Sequence, residues 1–471
     1  MIRGSEHFHF AGIGGIGMSA LAGFLKAQQY TVSGSDTNLE QKTITQLTAQ
    51  GCTITSQDTV DLAILRPDYL IYSTAIAPNA PIRRAAESLN IPCIHRSELL
   101  AEITKQYFCI AVTGAHGKTT TSAMISHILQ HCNKKPNLLL GGFLQSINSN
   151  FYSDNSRYLV VEADESDRSM TRLFPSIALI TNIDKEHTET YKSIETMEQA
   201  CIEFMQRVPW FGKVICFLDQ DYNQWKQLPS DLTTKCVFYG RTPKATVQIQ
   251  HECDTAHGSS ATIQFPNKTS IDLQIPYSGT HNIENAAGAL TAAYLCGINL
   301  EDAAKALAAY PGAEQRFTLR GHYQNAQIID DYAHHPTEIH HALSMARKKN
   351  PKRLLVVFQP HRYSRTESLW DDFIQTFNQH AIDKLYITDI YAASENESQS
   401  EKTSQHLAAA INIHSNKKYA HYIPADKEFS LIQKELEKTV CSGDLVLFLG
   451  AGPVNRLSLE LIKNNQKSLK K

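Results

Sequence analysis

At 471 residues the chain is too long for one ordinary domain and long enough for about three. Its 42% hydrophobic content suits globular cores, and a net charge of −2 excludes the basic excess expected of a nucleic-acid binder. The cysteines are scattered from Cys52 to Cys441 with no CxxC pair and no Cys/His ligand spacing. That excludes a disulfide framework and a zinc site, and reads as reduced core thiols in a cytosol.

The chain opens on a short predicted strand, His7 to Gly12, then a glycine loop, then a helix through Met18 to Ala27. The apolar stretch Ala11 to Leu25 is not a signal peptide. It is broken by Gly12, Gly14, Gly15 and Gly17, and Glu6, His7 and His9 stand where a cationic leader would be. No run reaches the roughly 18 unbroken apolar residues of a membrane span, so a cytoplasmic protein with no membrane partner is expected. Gly12-Ile13-Gly14-Gly15-Ile16-Gly17 satisfies G-x-G-x-x-G, which lets a backbone approach a diphosphate at a helix N-terminus. Asp36 follows at a spacing that suits a ribose hydroxyl. The pattern alone leaves a nicotinamide dinucleotide, another nucleotide and a purely structural tight turn all open.

After a helix at Ser97 to Ile103, a second start follows: strand Cys109 to Gly114, a loop, then a helix through Ala123 to His131. The loop Gly114-Ala115-His116-Gly117-Lys118-Thr119-Thr120-Thr121 is the strongest signal in the chain. Backbone N–H groups in such a loop wrap phosphate oxygens, Lys118 can neutralise β and γ phosphates, and Thr119 can ligate Mg²⁺. It has two residues between its glycines where four are usual. Strands at Tyr158 to Glu162, Ile177 to Thr181 and Val214 to Leu218 follow. The first runs into the acids of Val160 to Asp167, and the second into Asn182, Asp184, Glu186 and His187. Since Mg²⁺ prefers oxygen, Glu162 or Glu165 is the natural partner of Thr119, with His187 an unusual further ligand. Ala261 to Ile275 alternates apolar and polar positions around Pro266-Asn267 and reads as an antiparallel hairpin.

A third start runs from strand Ile328 to Tyr332 through a His/Pro turn into helix Pro336 to Lys348. Strands at Leu354 to Phe358, Leu385 to Ile387 and Leu445 to Leu449 follow. Ser394 to Ser404 reads as a mobile loop and Asn464 to Lys471 as a frayed tail. The expected fold is α/β with three domains, bounded near Lys105 and Arg320: 1–105 Rossmann-like, 106–320 a phosphate-loop parallel sheet with extra antiparallel strands, and 321–471 Rossmann-like α/β.

Four segments together carry a specific resemblance. They are the Gly12-to-Met18 loop, Ala115-His116-Gly117-Lys118, Asp330-Asp331-Tyr332-Ala333-His334-His335-Pro336-Thr337-Glu338, and Phe358-Gln359-Pro360-His361-Arg362-Tyr363-Ser364-Arg365-Thr366. With Thr181-Asn182 to His187 and Gly279-Thr280-His281-Asn282-Ile283-Glu284-Asn285, the chain resembles the Mur ligases along nearly its whole length. These enzymes build the peptide stem of bacterial peptidoglycan, and the resemblance is closest to the branch that adds the first residue.

The resemblance implies three substrates, UDP-N-acetylmuramate, ATP and L-alanine, in a bacterial cytoplasmic monomer or homodimer. It reassigns the first glycine loop to the UDP diphosphate: Gly14, Gly15, Ile16, Gly17 and Asp36, with Ser73, Thr74, His95 and Arg96 as further sugar-nucleotide contacts. It assigns ATP to Gly114 through Thr120, with His281, Asn282, Asn285, Arg316 and Asp331. It assigns the amino acid to Tyr332, His334, His361, Arg362 and Arg365. It implies two Mg²⁺ ions, replaceable by Mn²⁺, held by Thr119, Glu162 and His187. The expected chemistry is phosphoryl transfer from ATP to a carboxylate, then attack by an amine on the acyl phosphate. Lys118 and Arg316 supply positive charge, Arg362 and Arg365 seat the amino-acid carboxylate, and His334 and His361 orient the amine or take its proton. One substrate on each domain implies closure before reaction.

Three departures stand out. Family members acting later on the stem carry a modified lysine in the region where this chain has Ile202. The family often has Arg-Arg-Phe where this chain has Gln315-Arg316-Phe317. Ala333 stands where glycine is usual, which matters only if that residue needs a positive φ. The readings competing with a stem ligase are a tripeptide-recycling or folylpolyglutamate ligase of the same superfamily, a nicotinamide oxidoreductase built on Gly12 to Gly17, and an ATP-dependent switch without catalysis.

Overall fold

The computed structural model describes residues 6–468, apart from 145–146, 185–189, 192, 219–224, 226–227, 256–257, 313–316, 394, 396–400 and 427, and excepting the side chains of 464–468. In all but a few loop positions the described residues form two compact units, 6–312 and 317–468. The strand Thr318–Tyr323 straddles the boundary expected at Arg320.

The first unit contains two sheets. One is fully parallel, with strands in the order Thr53–Ser56, Thr31–Asp36, His7–Ala11, Tyr69–Tyr72 and Cys93–His95. The first strand in sequence is therefore central, and the chain order reverses beside it. A ligand crevice opens at such a reversal, at the carboxyl ends of the strands, and Gly12 to Gly15 occupies that point. Phe8 and Phe10 fill one face of the strand. On the other face His9 is buried, and its Nδ1 and Nε2 sit 2.8 and 3.2 Å from the hydroxyls of Ser33 and Ser35. Burial, helped by His7, lowers its pKa to about 4, so the ring is a neutral post between two strands.

The second sheet has ten strands among the described residues. Its centre is Phe108–Thr113, flanked by Tyr158–Glu162 and Ile177–Ile180, all parallel. Val112 pairs with Glu162 and Thr113 with Ile180, so three carboxyl ends lie side by side. Beyond Ile177–Ile180 come Lys213–Leu218, Cys236–Gly240 and Val247–Thr255. The expected hairpin follows as Gly258–Gln264 and Ser270–Ile275. Helix Lys118–His131 packs over Phe108–Thr113, Tyr158–Glu162 and Asn137–Leu144, and helices Thr280–Leu295 and Leu300–Ala308 pack beside it toward the hairpin.

The opposite edge carries a hairpin absent from the sequence reading, Asn137–Leu144 with Ser149–Tyr152. It packs against the helix Ile16–Ala27 of the first sheet. Asn150 donates to Ile16 O at 2.7 Å and, in a buried hydrogen bond, to Ser19 Oγ at 2.9 Å, joining the two sheets.

The second unit has a sheet in the order Thr318–Tyr323, Ala326–Asp331, Leu445–Leu449, Leu354–Phe358, Lys384–Ile387 and Ala420–Tyr422. Its first strand is antiparallel and the rest are parallel. The central strands are covered on both faces, which explains unbroken apolar runs such as Leu354 to Phe358. Of the tail expected to fray, Asn464 to Ser468 continue the helix Asn455–Ser468, and 469–471 lie outside the described residues.

Candidate functional site

The phosphate loop leaves its strand at Thr113 and enters a helix at Lys118. Gly114 and Gly117 both have positive φ, 131° and 79°. A β-carbon at Gly114 would collide with Thr181 Oγ1 and the Asn182 backbone, and one at Gly117 with the Asn285 amide. Glycine is required at both positions for space as well as for dihedral freedom. The neighbouring strand end fixes the loop. His116 N donates to Asn182 Oδ1 at 2.8 Å, and Thr181 Oγ1 donates to His116 O at 2.6 Å. His116 Nε2 also lies 2.9 Å from Asp184.

Lys118 folds over its own loop. Its Nζ donates to Gly114 O at 2.7 Å, Ala115 O at 3.0 Å and Glu165 Oε1 at 2.8 Å. Thr119 Oγ1 stands 3.0 Å from both oxygens of Glu162, and Gly141 N donates to the same carboxylate at 2.9 Å. Burial raises the Glu162 pKa, while Lys118, Gly141 and Thr119 pull it back. The sequence left Glu162 and Glu165 as alternative partners of Thr119; the structure puts Glu162 there and Glu165 on Lys118. The candidate residues His187 and Arg316 lie outside the described residues, as does the Gln315 departure, and Thr120 follows Thr119 in the first turn of the helix.

The helix Thr280–Leu295 starts after Gly279 and includes His281, Asn282 and Asn285. Asn282 turns back to donate to Ser278 O at 2.8 Å. Asn285 is 6% exposed and accepts from Thr121 Oγ1 at 3.2 Å, so it braces the phosphate loop from beneath.

On the first sheet, Asp36 accepts from Gly14 N at 2.8 Å, Asn38 N at 3.0 Å and Gln41 Nε2 at 3.2 Å. Its carboxylate holds the glycine loop and the following turn. His95 caps the helix Arg96–Thr104 through its ring nitrogen, and burial lowers its pKa. Arg96 Nη2 lies 2.9 Å from Asp164 and 3.0 Å from Asp167. Burial raises the Asp164 pKa, but Arg96 and the Ser166 hydrogen bonds outweigh it and hold the group below the usual carboxylate range. None of these long-range pairings was legible in the sequence.

A cavity of about 330 Å³ ties these parts together. Its wall includes Gly15 and Gly17 of the first glycine loop, Ser73, Thr74, Arg96 and, from the second sheet, Glu162. The glycine loop of one sheet and the carboxylate facing Thr119 on the other thus open onto one space of the size that takes a small ligand.

In the second unit, Asp331 accepts from Phe317 N and Ala333 N, both at 2.7 Å. Ala333 is buried and is not among the residues with positive φ, so alanine costs nothing there. His335 caps the helix Pro336–Lys348 in a box with Glu338. His334 Nδ1 lies 2.9 Å from Tyr332 O and 3.4 Å from the Glu338 carboxylate, and its ring is 5.4 Å from Tyr332 and 5.5 Å from His361. Arg365 Nη1 lies 3.1 Å from His361 Nδ1, and Arg362 N donates to Tyr391 O at 2.8 Å. Burial first, then His334, Arg365 and Arg362, lowers the His361 pKa to about 3. Tyr332, His334, His361 and Arg365 therefore form one cluster, with Arg362 next to it in sequence. Glu395 was missed: it accepts from Tyr363 N at 2.7 Å and anchors the turn that carries both arginines.

Comparison with known proteins finds three family models in chain order. They are the Mur ligase family catalytic domain over residues 7–108, the Mur ligase middle domain over 112–293, and the Mur ligase glutamate ligase domain over 315–452. The UDP-N-acetylmuramate–L-alanine ligase of Aquifex aeolicus is 37% identical over 465 residues, covering 97% of each chain. Its counterpart from Desulforapulum autotrophicum is 38% identical, covering 98% of this chain and 99% of the relative. The crystal structure of UDP-N-acetylmuramate-alanine ligase from Thermotoga maritima superposes with a TM-score of 0.80 at 27% identity, covering 98% of this chain and all of that one. On these full-length matches, and not on the glycine fingerprint that once also suited a nicotinamide enzyme, the chain belongs to the Mur ligase family.

Proposed function

We propose that the chain joins L-alanine to the lactyl carboxylate of UDP-N-acetylmuramate at the expense of ATP, in peptidoglycan precursor synthesis. The observation that carries the reading is the shared cavity. A sugar nucleotide whose diphosphate rests on Gly15 to Gly17 would present its carboxylate toward Glu162, the residue that Thr119 faces from the phosphate loop. The relatives at 35–38% identity carry this activity in their names, which favours it over the recycling and folate branches.

The reaction needs two steps because a carboxylate resists an amine. A carboxylate oxygen attacks the γ-phosphorus and ADP leaves. The amine then attacks the carbonyl carbon, and the C–O bond to phosphate breaks. Lys118 sits where it can meet β and γ phosphate charge, and the N–H groups at the start of its helix also donate toward that charge. The all-oxygen pair Thr119 and Glu162 has the donor chemistry that Mg²⁺ takes, so these residues would hold it. When bound, the ion neutralises phosphate charge. In the second unit Arg365 and Arg362 would seat the alanine carboxylate. Burial and the neighbouring cations keep the His361 ring neutral, and Arg365 Nη1 lies 3.1 Å from its Nδ1, which favours orienting Arg365 over serving as the base.

The test is phosphate release with ATP, Mg²⁺ and UDP-N-acetylmuramate, run against each amino acid in turn. Release is expected only when both the sugar nucleotide and an amino acid are present, with L-alanine the best. Release independent of the amino acid would favour a switch instead.

A further inference from the structure

The segment Asp164 to Asp167 leaves the strand Tyr158–Glu162 and grips two cations from different sheets. Asp164 and Asp167 hold Arg96, at the start of the helix Arg96–Thr104, at 2.9 and 3.0 Å. Between them in sequence, Glu165 holds Lys118, at the start of the helix Lys118–His131, at 2.8 Å. Glu165 is 1% exposed, while Arg96 and Asp167 are each 16% exposed. The segment is stiff: Ser166 N donates to Asp164 Oδ1 at 2.9 Å, Ser169 N to Asp167 Oδ1 at 3.0 Å, and the Tyr191 hydroxyl to Glu165 O at 2.8 Å. A shift at Glu165 therefore reaches both flanking carboxylates within two peptide units.

We infer that Asp164 and Asp167 are positioning residues that link the binding of ATP to the binding of the sugar nucleotide, a step that rests on the assignments of Lys118 and Arg96 above. In the free protein each cation is neutralised by this segment. A phosphate that draws Lys118 off Glu165 removes a close countercharge from an almost wholly buried carboxylate. Relief comes from a shift of the segment toward solvent or the remaining donors. That shift loosens Asp164 and Asp167 from Arg96, whose guanidinium already lines the cavity and is released toward the anionic sugar nucleotide. Linkage is reciprocal, so the sugar nucleotide tightens ATP by the same factor.

The experiment measures calorimetric Kd values on the full chain. UDP-N-acetylmuramate is titrated with and without a non-hydrolysable ATP analogue and Mg²⁺, and the reverse titration is then run. It uses wild type, Asp167→Asn and the Asp164→Asn/Asp167→Asn pair. In wild type each ligand is expected to tighten the other about fivefold or more. The double variant is expected to bind the sugar nucleotide alone more tightly than wild type, with coupling near unity. Asp167→Asn, which keeps one carboxylate on Arg96, is expected to fall between and serves if the double variant does not fold. Independent binding in wild type overturns the inference, as does undiminished coupling in either variant. Failure of wild type to bind either ligand alone would instead remove the assignment of Lys118 or Arg96.

Discussion

Lys118→Ala is expected to lower kcat by roughly three orders of magnitude while UDP-N-acetylmuramate still binds. The lysine contacts two carbonyls of its own loop and Glu165, so in the resting protein it is held ready beside the phosphate cradle. Alanine removes the one loop side chain whose charge can follow the γ-phosphoryl group. No glycine or backbone contact of the sugar-nucleotide cavity passes through Lys118, which is why binding there survives. Single-turnover phosphate release, paired with calorimetry for the sugar nucleotide, separates the two effects. Full activity in the variant would remove the central assignment; loss of both activities would point to misfolding around Glu165.

The second large effect is expected at Glu162. Glu162→Gln preserves shape but replaces one of the two acceptors facing Thr119 with a donor and removes the charge. A fall in kcat of about 100-fold is expected, with a higher Mg²⁺ concentration needed for half-maximal rate. Binding of the sugar nucleotide should change little. A Mg²⁺ titration of phosphate release checks this, and an unchanged midpoint would mean that the carboxylate shapes the loop without meeting the ion.

The parts legible in the sequence are those written in contiguous residues. Cys109 to Gly114 followed by Gly-Lys-Thr announces a strand, a cradle and a helix start, and the structure places them at Phe108–Thr113 and Lys118–His131. The alternation of Ala261 to Ile275 likewise gave the hairpin. Parts made by distant residues were not legible. Arg96 and Asp164 are 68 positions apart, and no local pattern ties them together. Asn137–Leu144 was missed because Gly141-Gly142 interrupts its apolar run and its partner Ser149–Tyr152 is only four residues long. The other strands of the first sheet, such as Tyr69–Tyr72 and Cys93–His95, are too brief to show a period of two. Asp36 illustrates a different limit: its spacing marked it as a ligand contact, and the spacing did not show that its carboxylate also accepts from Gly14, Asn38 and Gln41.

The most direct measurement follows one oxygen atom. UDP-N-acetylmuramate labelled with ¹⁸O in its lactyl carboxylate is turned over with ATP and L-alanine, and the inorganic phosphate is analysed by mass. Transfer of the γ-phosphoryl group to that carboxylate predicts one labelled oxygen in each phosphate released. Phosphate free of label, with the amide still formed, would contradict it.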